Sequence, residues 1–216
     1  MTVESRPGLS GPLRDTGVIA IVRGGSGDRT LAVVEALAGA GLRSVEITLN
    51  TPGALAALRA ARDMLGDDVE VGAGTVRTPG QVDAAADAGA AYVVSPHTSA
   101  RIGARAGVLG LGWFPGAFTA TEVVTAWELG ATAVKLFPAS VGGPRYLREL
   151  LAPLDDVRLI PTGGVDAGNA AEFLAAGAVA VGAGGSLIGD ALDGGSLAAL
   201  ADRAGALLAA VADARR

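Results

Sequence analysis

The sequence predicts a single-domain (β/α)8 barrel. Three observations carry that expectation. Strand-like and helix-like stretches alternate eight times at a spacing of roughly 19–26 residues, with no segment that reads as a linker. Such alternation requires parallel strands joined by helical crossovers, and eight units in 216 residues suit a barrel near the lower end of its size range. No G-x-G-x-x-G follows the first strand-like run, which argues against the alternative, an open doubly wound sheet.

The elements follow in order. Residues 1–17 form a polar lead-in containing Pro and Gly. Val18–Arg23 reads as a buried strand, Gly24–Gly27 as a loop, and Asp28 as the N-cap of a helix that runs to about Ala40 and stops at Gly41. Ser44–Asn50 is the second strand, and Thr51-Pro52 opens a helix through about Leu65, with Thr as cap and Pro in the first turn. Glu70–Thr75 is the third strand, and Thr78-Pro79 repeats the same device for a helix ending near Gly89. Tyr92–Pro96 and Ser99–Ala106 form the fourth unit, Leu111–Gly116 and Thr121–Leu129 the fifth. Ala133–Pro138 with Pro144–Leu151, and Arg158–Gly163 with Asn169–Ala176, form the sixth and seventh. Ala178–Ala183 and a long Ala/Leu-rich helix, Ser196–Asp213, complete the eighth.

Composition narrows the chemistry. Half the residues are hydrophobic and 33 are Gly, enough for a full core with tight turns. The net charge is −5 and no basic cluster occurs, so nucleic acid is not an expected partner. The absence of Cys removes disulfides, thiolate nucleophiles and thiolate metal sites, and a single His removes a multi-histidine zinc site. Neither a metal nor any other cofactor is expected. Met1–Ser10 lacks the basic start and apolar centre of a signal peptide, and no apolar run is long enough for a membrane helix. The expectation is a soluble, cytoplasmic protein without a membrane partner.

One residue stands apart. Of seventeen Lys plus Arg, only Lys135 is a lysine, and it lies inside the apolar run Ala133-Val-Lys-Leu-Phe-Pro138. Arginine stays protonated, whereas a lysine can lose its proton and attack a carbonyl to form a Schiff base. The plainer alternative is a strand lysine whose stem reaches solvent. Alternation along the strands shows what would meet it. Val45, Ile47 and Leu49 face the helices, which turns Glu46, Thr48 and Asn50 to the lumen. Ile19, Ile21 and Arg23 share one face, Lys135 and Phe137 another, and Thr75 ends its strand. Lys135, Glu46, Arg23, Asn50 and Thr75 are therefore expected in one cavity at the carboxyl ends of the strands, where barrel chemistry sits. Glu46 is either a proton shuttle or a buried ion-pair partner, and Arg23 either a fork for a carboxylate or phosphate or an ordinary loop arginine. His97, after Ser95-Pro96, reads as a structural or solvated loop histidine, with catalysis as the alternative. Asp67-Asp68 and Asp155-Asp156 read as turn residues. The Gly-rich stretches Thr162-Gly163-Gly164 and Gly182-Ala-Gly-Gly-Ser186 follow strands seven and eight, where bare backbone N–H groups often cradle a phosphate; otherwise they are tight turns.

These motifs, Ile19-Ala-Ile-Val-Arg-Gly24, Val45-Glu-Ile-Thr-Leu-Asn50, Gly72-Ala-Gly-Thr75, Ser95-Pro96, Phe114-Pro-Gly116, Val134-Lys-Leu-Phe-Pro138, Pro161-Thr-Gly-Gly164 and Gly184-Gly-Ser186, span nearly the whole chain. In this order they resemble the 2-keto-3-deoxy-6-phosphogluconate and 2-keto-3-deoxy-6-phosphogalactonate aldolases, class I lyases of sugar-acid breakdown. The resemblance implies that Lys135 forms the Schiff base, that Glu46 is the general acid/base, and that Arg23 and Thr75 hold the pyruvate-end carboxylate. It places Asn50, Pro96, Phe137 and Thr162 in the substrate site and Gly163, Gly164, Gly185 and Ser186 around the phosphate. It further implies a homotrimer, a phosphorylated 2-keto-3-deoxy sugar acid as substrate, pyruvate as product, and no metal. Many phosphogluconate members carry Arg where this chain has Asn50, and phosphogalactonate members often carry Asn. His97 falls where Gly or Asn is common. The gluconate-derived substrate is the first expectation; the galactonate form and 4-hydroxy-2-oxoglutarate are alternatives. A metal-free sugar-phosphate isomerase or epimerase and a non-catalytic phospho-ligand-binding barrel are the readings outside this class.

Overall fold

Eight short strands carry the architecture of the computed structural model, which describes residues 7–24 and 27–216. They are β1 (Val18–Val22), β2 (Ser44–Thr48), β3 (Glu70–Gly74), β4 (Tyr92–Ser95), β5 (Gly112–Ala117), β6 (Val134–Leu136), β7 (Leu159–Pro161) and β8 (Val181–Ala183). All neighbours are parallel, in the order β7-β6-β5-β4-β3-β2-β1-β8. A bridge between Thr162 and Gly182 joins the two ends of that order and rounds the sheet into a (β/α)8 barrel. The helices that follow the strands are α2 (Gly27–Gly39), α3 (Ala54–Leu65), α4 (Pro79–Asp87), α5 (Ala100–Val108), α6 (Ala120–Glu128), α7 (Ala139–Leu151), α8 (Ala170–Ala175) and α10 (Leu197–Ala214). Two shorter ones, α1 (Gly11–Thr16) and α9 (Gly185–Ile188), have no counterpart in the sequence expectation.

Strand alternation divides the core in two. Val18, Ala20, Val45, Ile47 and Val134 face outward into the layer between sheet and helices. Ile19, Ile21, Val94, Phe114 and Ile160 fill the lumen. The segment read as a lead-in supplies the lumen's floor: Ser10 caps α1 by accepting the Leu13 N–H at 3.2 Å, and Leu13 is buried with the lumen cluster. Gly17 then turns the chain into β1 with φ 67, a conformation glycine adopts without penalty.

Local signals held at several boundaries and moved at others. Thr78 caps α4 by accepting the Gln81 N–H, and Thr119 with Glu122 forms a capping box at α6. Thr51 does not cap α3, which begins at Ala54 after Gly53. Its hydroxyl is buried, accepting the Gly24 N–H at 3.0 Å and lying 3.1 Å from Thr48 Oγ1. That tie fixes the β1 loop to the end of β2, so tertiary contact outweighs the capping preference. The helix expected from Pro144 starts earlier, at Ala139; Gly143, at φ 63 and ψ −170, breaks it, and Pro144 restarts it. Helix α2 begins at Gly27, one residue before the expected cap Asp28, whose side chain, like Gly25 and Ser26, lies outside the described residues.

Candidate active site

Lys135 sits in the middle of β6, between Gly116 of β5 and Ile160 of β7 in register. Inward phase puts its stem in the lumen, where the residue is 7% exposed. Glu46 reaches the same level from β2 and is 1% exposed. Lys135 Nζ lies 4.0 Å from Glu46 Oε2, an ion pair too long for a direct hydrogen bond. Glu46 Oε1 is buried without a hydrogen-bond partner among the described residues. An orphaned buried carboxylate oxygen is costly, so its persistence marks a place where a ligand atom or water belongs.

The lumen is cut to fit this carboxylate. A Cβ on Gly74 would stand 1.9 Å from Glu46 Oε1, and one on Gly72 would stand 2.1 Å from the Tyr92 ring. The bare faces of these two β3 glycines are thus filled by one carboxylate and one aromatic ring. A void of about 10 Å³, bounded by Glu46, Lys135, Val94, Phe114 and Thr162, remains beside the pair, about the room a single water needs.

Above it opens a cavity of about 450 Å³ lined by Arg23, Lys135, Phe137, Thr162, Gly163, Gly164, Gly184, Gly185 and Ser186. This size suits a small metabolite. Phe137 is 43% exposed and its ring centroid lies 5.4 Å from Lys135 Nζ. The rim after β6 and β7 is stitched by backbone bonds: Ala139 N–H to Thr162 O at 2.8 Å and Ser140 N–H to Gly163 O at 2.9 Å. Asn169 Nδ2 donates to Gly164 O at 2.8 Å. These bonds occupy the loop carbonyls, while the Gly163 and Gly164 N–H groups take no partner among the described residues. Both glycines have positive φ, 90 and 77, and a Cβ on Gly164 would lie 2.6 Å from Ser140 Cβ. On the other side, Gly185 and Ser186 begin α9, and their backbone N–H groups take no partner among the described residues. The Ser186 hydroxyl donates to Val165 O at 2.5 Å, so among the described residues that proton is already engaged.

Of the residues the sequence singled out, Lys135, Glu46, Arg23, Phe137, Thr162, Gly163, Gly164, Gly185 and Ser186 line this cavity or the void beneath it. Asn50, Thr75 and Pro96 do not line it. Asn50 is exposed in the turn after β2, Pro96 is exposed after β4, and Thr75 is half-buried at the end of β3 with φ 59. His97 is exposed and lines a separate surface cleft with Arg77, Thr78 and Gln81. Ile188, Gly189, Leu192 and Asp193 also line the cavity and were not anticipated; an acidic residue in the loop after strand eight was the available signal. No group of three or more His, Cys, Asp and Glu able to hold a metal occurs among the described residues. Among them, no helix is long and apolar enough to cross a membrane.

The lower lumen holds a second polar cluster. Ser44 Oγ donates to the Tyr92 hydroxyl at 3.1 Å. Burial pushes the Glu70 carboxyl above its ordinary value, partly offset by the hydroxyls of Ser10 and Ser44. Burial, then the nearby Glu70 charge, pushes the Tyr92 phenol up.

Comparison with known proteins defines the class. A family model described as "KDPG and KHG aldolase" matches residues 10–201. The 2-dehydro-3-deoxy-6-phosphogalactonate aldolase of Escherichia coli (strain K12) is 42% identical over 171 residues, 79% of this chain and 83% of that protein. A solved structure described as native KDPGal superposes with a TM-score of 0.86 at 40% identity, covering 92% of this chain and 95% of that one. The KDPG aldolase of Legionella pneumophila, captured with pyruvate as a covalent carbinolamine, superposes with a TM-score of 0.82 at 28% identity, covering 89% and 94%. A lyase of the aldolase class is what barrel and match together define. More narrowly, the chain belongs to the KDPG and KHG aldolase family.

Proposed function

We propose that this protein is a class I aldolase that cleaves 2-keto-3-deoxy-6-phosphogluconate to pyruvate and glyceraldehyde 3-phosphate through a Schiff base on Lys135. The observation that carries the reading is the chain's single lysine, buried in the cavity lining 4.0 Å from a carboxylate whose second oxygen has no partner among the described residues. The unprotonated Nζ attacks the C2 carbonyl to give a carbinolamine, and loss of water leaves the imine. Glu46 accepts the C4 hydroxyl proton as the C3–C4 bond breaks. The bond's electron pair passes into the imine as an enamine, and the aldehyde departs. Protonation of the enamine at C3 and hydrolysis release pyruvate and the free lysine.

Arg23 lines the cavity with Lys135 and supplies a planar fork for the substrate carboxylate, a role that the family resemblance extends to Thr75 at the end of β3. The far-end phosphate takes the free N–H groups of Gly163 and Gly164 and those of Gly185 and Ser186 at the start of α9. No step needs a metal. Asn50 and the phosphogalactonate relative favour the galactonate-derived epimer as the second reading. The chain is expected to work as a homotrimer, as the family resemblance implies.

Borohydride reduction in the presence of pyruvate tests the core of the proposal. Mass spectrometry should find the reduced pyruvate adduct on the peptide containing Lys135. An unmodified Lys135 peptide under saturating pyruvate rules out the imine. Comparing both epimers in one cleavage assay decides the preference.

A further inference from the structure

One wall of the cavity carries a charged group that the cleavage chemistry does not use. Asp193 ends the 3-10 turn Ala191–Asp193 and lines the same cavity as Gly163, Gly164, Gly185 and Ser186. Its carboxylate makes no hydrogen bond or ion pair among the described residues. Its position is nevertheless built. Arg29, on α2, donates through Nε to Ala191 O at 2.6 Å and through Nη2 to Gly195 O, clamping the chain on both sides of Asp193. The N–H groups of Asp193 and Gly195 both donate to Asp190 O at 2.9 Å. The Asp190 carboxylate lies against Gly195, where a Cβ would come within 2.1 Å of it, so Asp193 is the acidic side chain this turn contributes to the cavity.

The Ser186 hydroxyl adds a second, independent sign. Its proton is directed to Val165 O, which leaves its oxygen able only to accept. The cavity lining thus combines backbone N–H donors with two side-chain acceptors, one of them the exposed Asp193 carboxylate. A phosphomonoester dianion offers only acceptors and meets Asp193 as a like charge. The monoanion keeps one P–O–H donor while its other oxygens still accept the backbone N–H groups.

We propose that the cavity takes the far-end phosphoester as its monoanion, donating P–O–H to Asp193, so that Asp193 decides which charge state of the ligand binds. This rests on the phosphate reading of the cavity given above. Among the described residues, the other charged groups around Asp193 are Arg23 just after β1, Lys135 from β6, Arg29 from α2, Asp190 on its own segment, and Arg203 of α10, which holds the Leu187 and Ile188 carbonyls. A phosphomonoester loses its second proton near pH 6.

The experiment is calorimetric titration of the full chain and of Asp193→Asn with glycerol 3-phosphate, an unreactive phosphomonoester, at pH 6 and pH 8. The wild-type protein should bind about 50-fold more weakly at pH 8, the factor by which the monoanion is depleted. Asp193→Asn should lose that dependence and bind at pH 8 at least ~10-fold more tightly than wild type, because a carboxamide can donate to the dianion. Equal wild-type affinity at both pH values overturns the proposal, as does Asp193→Asn binding no more tightly at pH 8. Weaker binding by Asp193→Asn at both pH values also overturns it and assigns the carboxylate to a ligand hydroxyl. No binding by either protein removes the phosphate reading and this proposal with it. The pyruvate adduct on Lys135, read separately in both proteins, reports on the aldolase reading alone.

Discussion

The barrel lumen holds two glutamates, and their surroundings differ by a single kind of neighbour. Glu46, in the upper lumen, lies 4.0 Å from an ammonium and next to a void that shares Lys135 and Thr162 with the cavity lining. Glu70, at the start of β3, has the hydroxyls of Ser10 and Ser44 with Tyr92 close by, and its carboxyl is pushed upward by burial. Each leaves its Oε1 buried without a partner. The upper one has a cation beside it that also lines the cavity. Among the described residues the lower one has only neutral donors, and it sits at the end of the lumen where Leu13 of α1 is packed. The two carboxylates are therefore expected to serve different ends: on the proposed mechanism the buried Glu46 works in turnover, and the half-buried Glu70 is a polar group the fold carries at some expense in stability.

Glu46→Gln should show the contrast at its largest. Turnover should fall about 10²-fold or more, because a carboxamide cannot accept the C4 hydroxyl proton. The Lys135 adduct with pyruvate should still form and the melting temperature should change little. Near-normal turnover would reduce Glu46 to a structural ion-pair partner.

The two β3 glycines separate the layers further. Gly72→Ala would drive a methyl into the Tyr92 ring, and overpacking of this kind costs about 1–3 kcal/mol. The expected result is a lower melting temperature with turnover per folded molecule retained. Gly74→Ala would displace the Glu46 carboxylate instead, and roughly a tenfold loss of turnover is expected, about 1.4 kcal/mol. If the two variants gave the same balance of stability and turnover, the layers would not be functionally distinct.

Glu70→Gln should have the smallest effect, about 1 kcal/mol or less. The folded-state pKa of Glu70 lies above the ordinary 4.5, so the native state binds its proton more tightly than the unfolded chain does. Its favourable contribution is fully present below the unfolded value and is lost as pH rises through the folded one. Urea melts should therefore find the variant gaining stability relative to wild type between pH 4 and pH 7, with turnover intact. A relative loss over that window would mean that the charged carboxylate is the better-accommodated form.

Much of this contrast was legible in the residues. Period-two alternation pointed Glu46 and Lys135 inward, and both lie buried in the upper lumen. The Gly-rich stretches after strands seven and eight do line the cavity with Lys135. The end of β2 was less legible. The alternation that turns Glu46 inward also counted Asn50, but the chain has already left β2 at Thr48, and a turn closed by the Thr51 N–H to Thr48 O bond leaves Asn50 exposed. Thr75 departs similarly, with a positive φ just past β3.

The sequence by itself determined the strand–helix order, the inward phase of the strand residues and the single lysine, because each is encoded within a few neighbouring residues. Only the tertiary structure decided that α1 lays Leu13 against the lumen core, that the Ser186 hydroxyl turns to Val165, and that Asp193 shares a cavity with Arg23 and Gly163. These contacts join segments distant in the chain, and they arise when β8 returns beside β1 and the Thr162–Gly182 bridge joins β7 to β8. A local pattern sets which way a side chain points; ring closure sets which side chains it then meets.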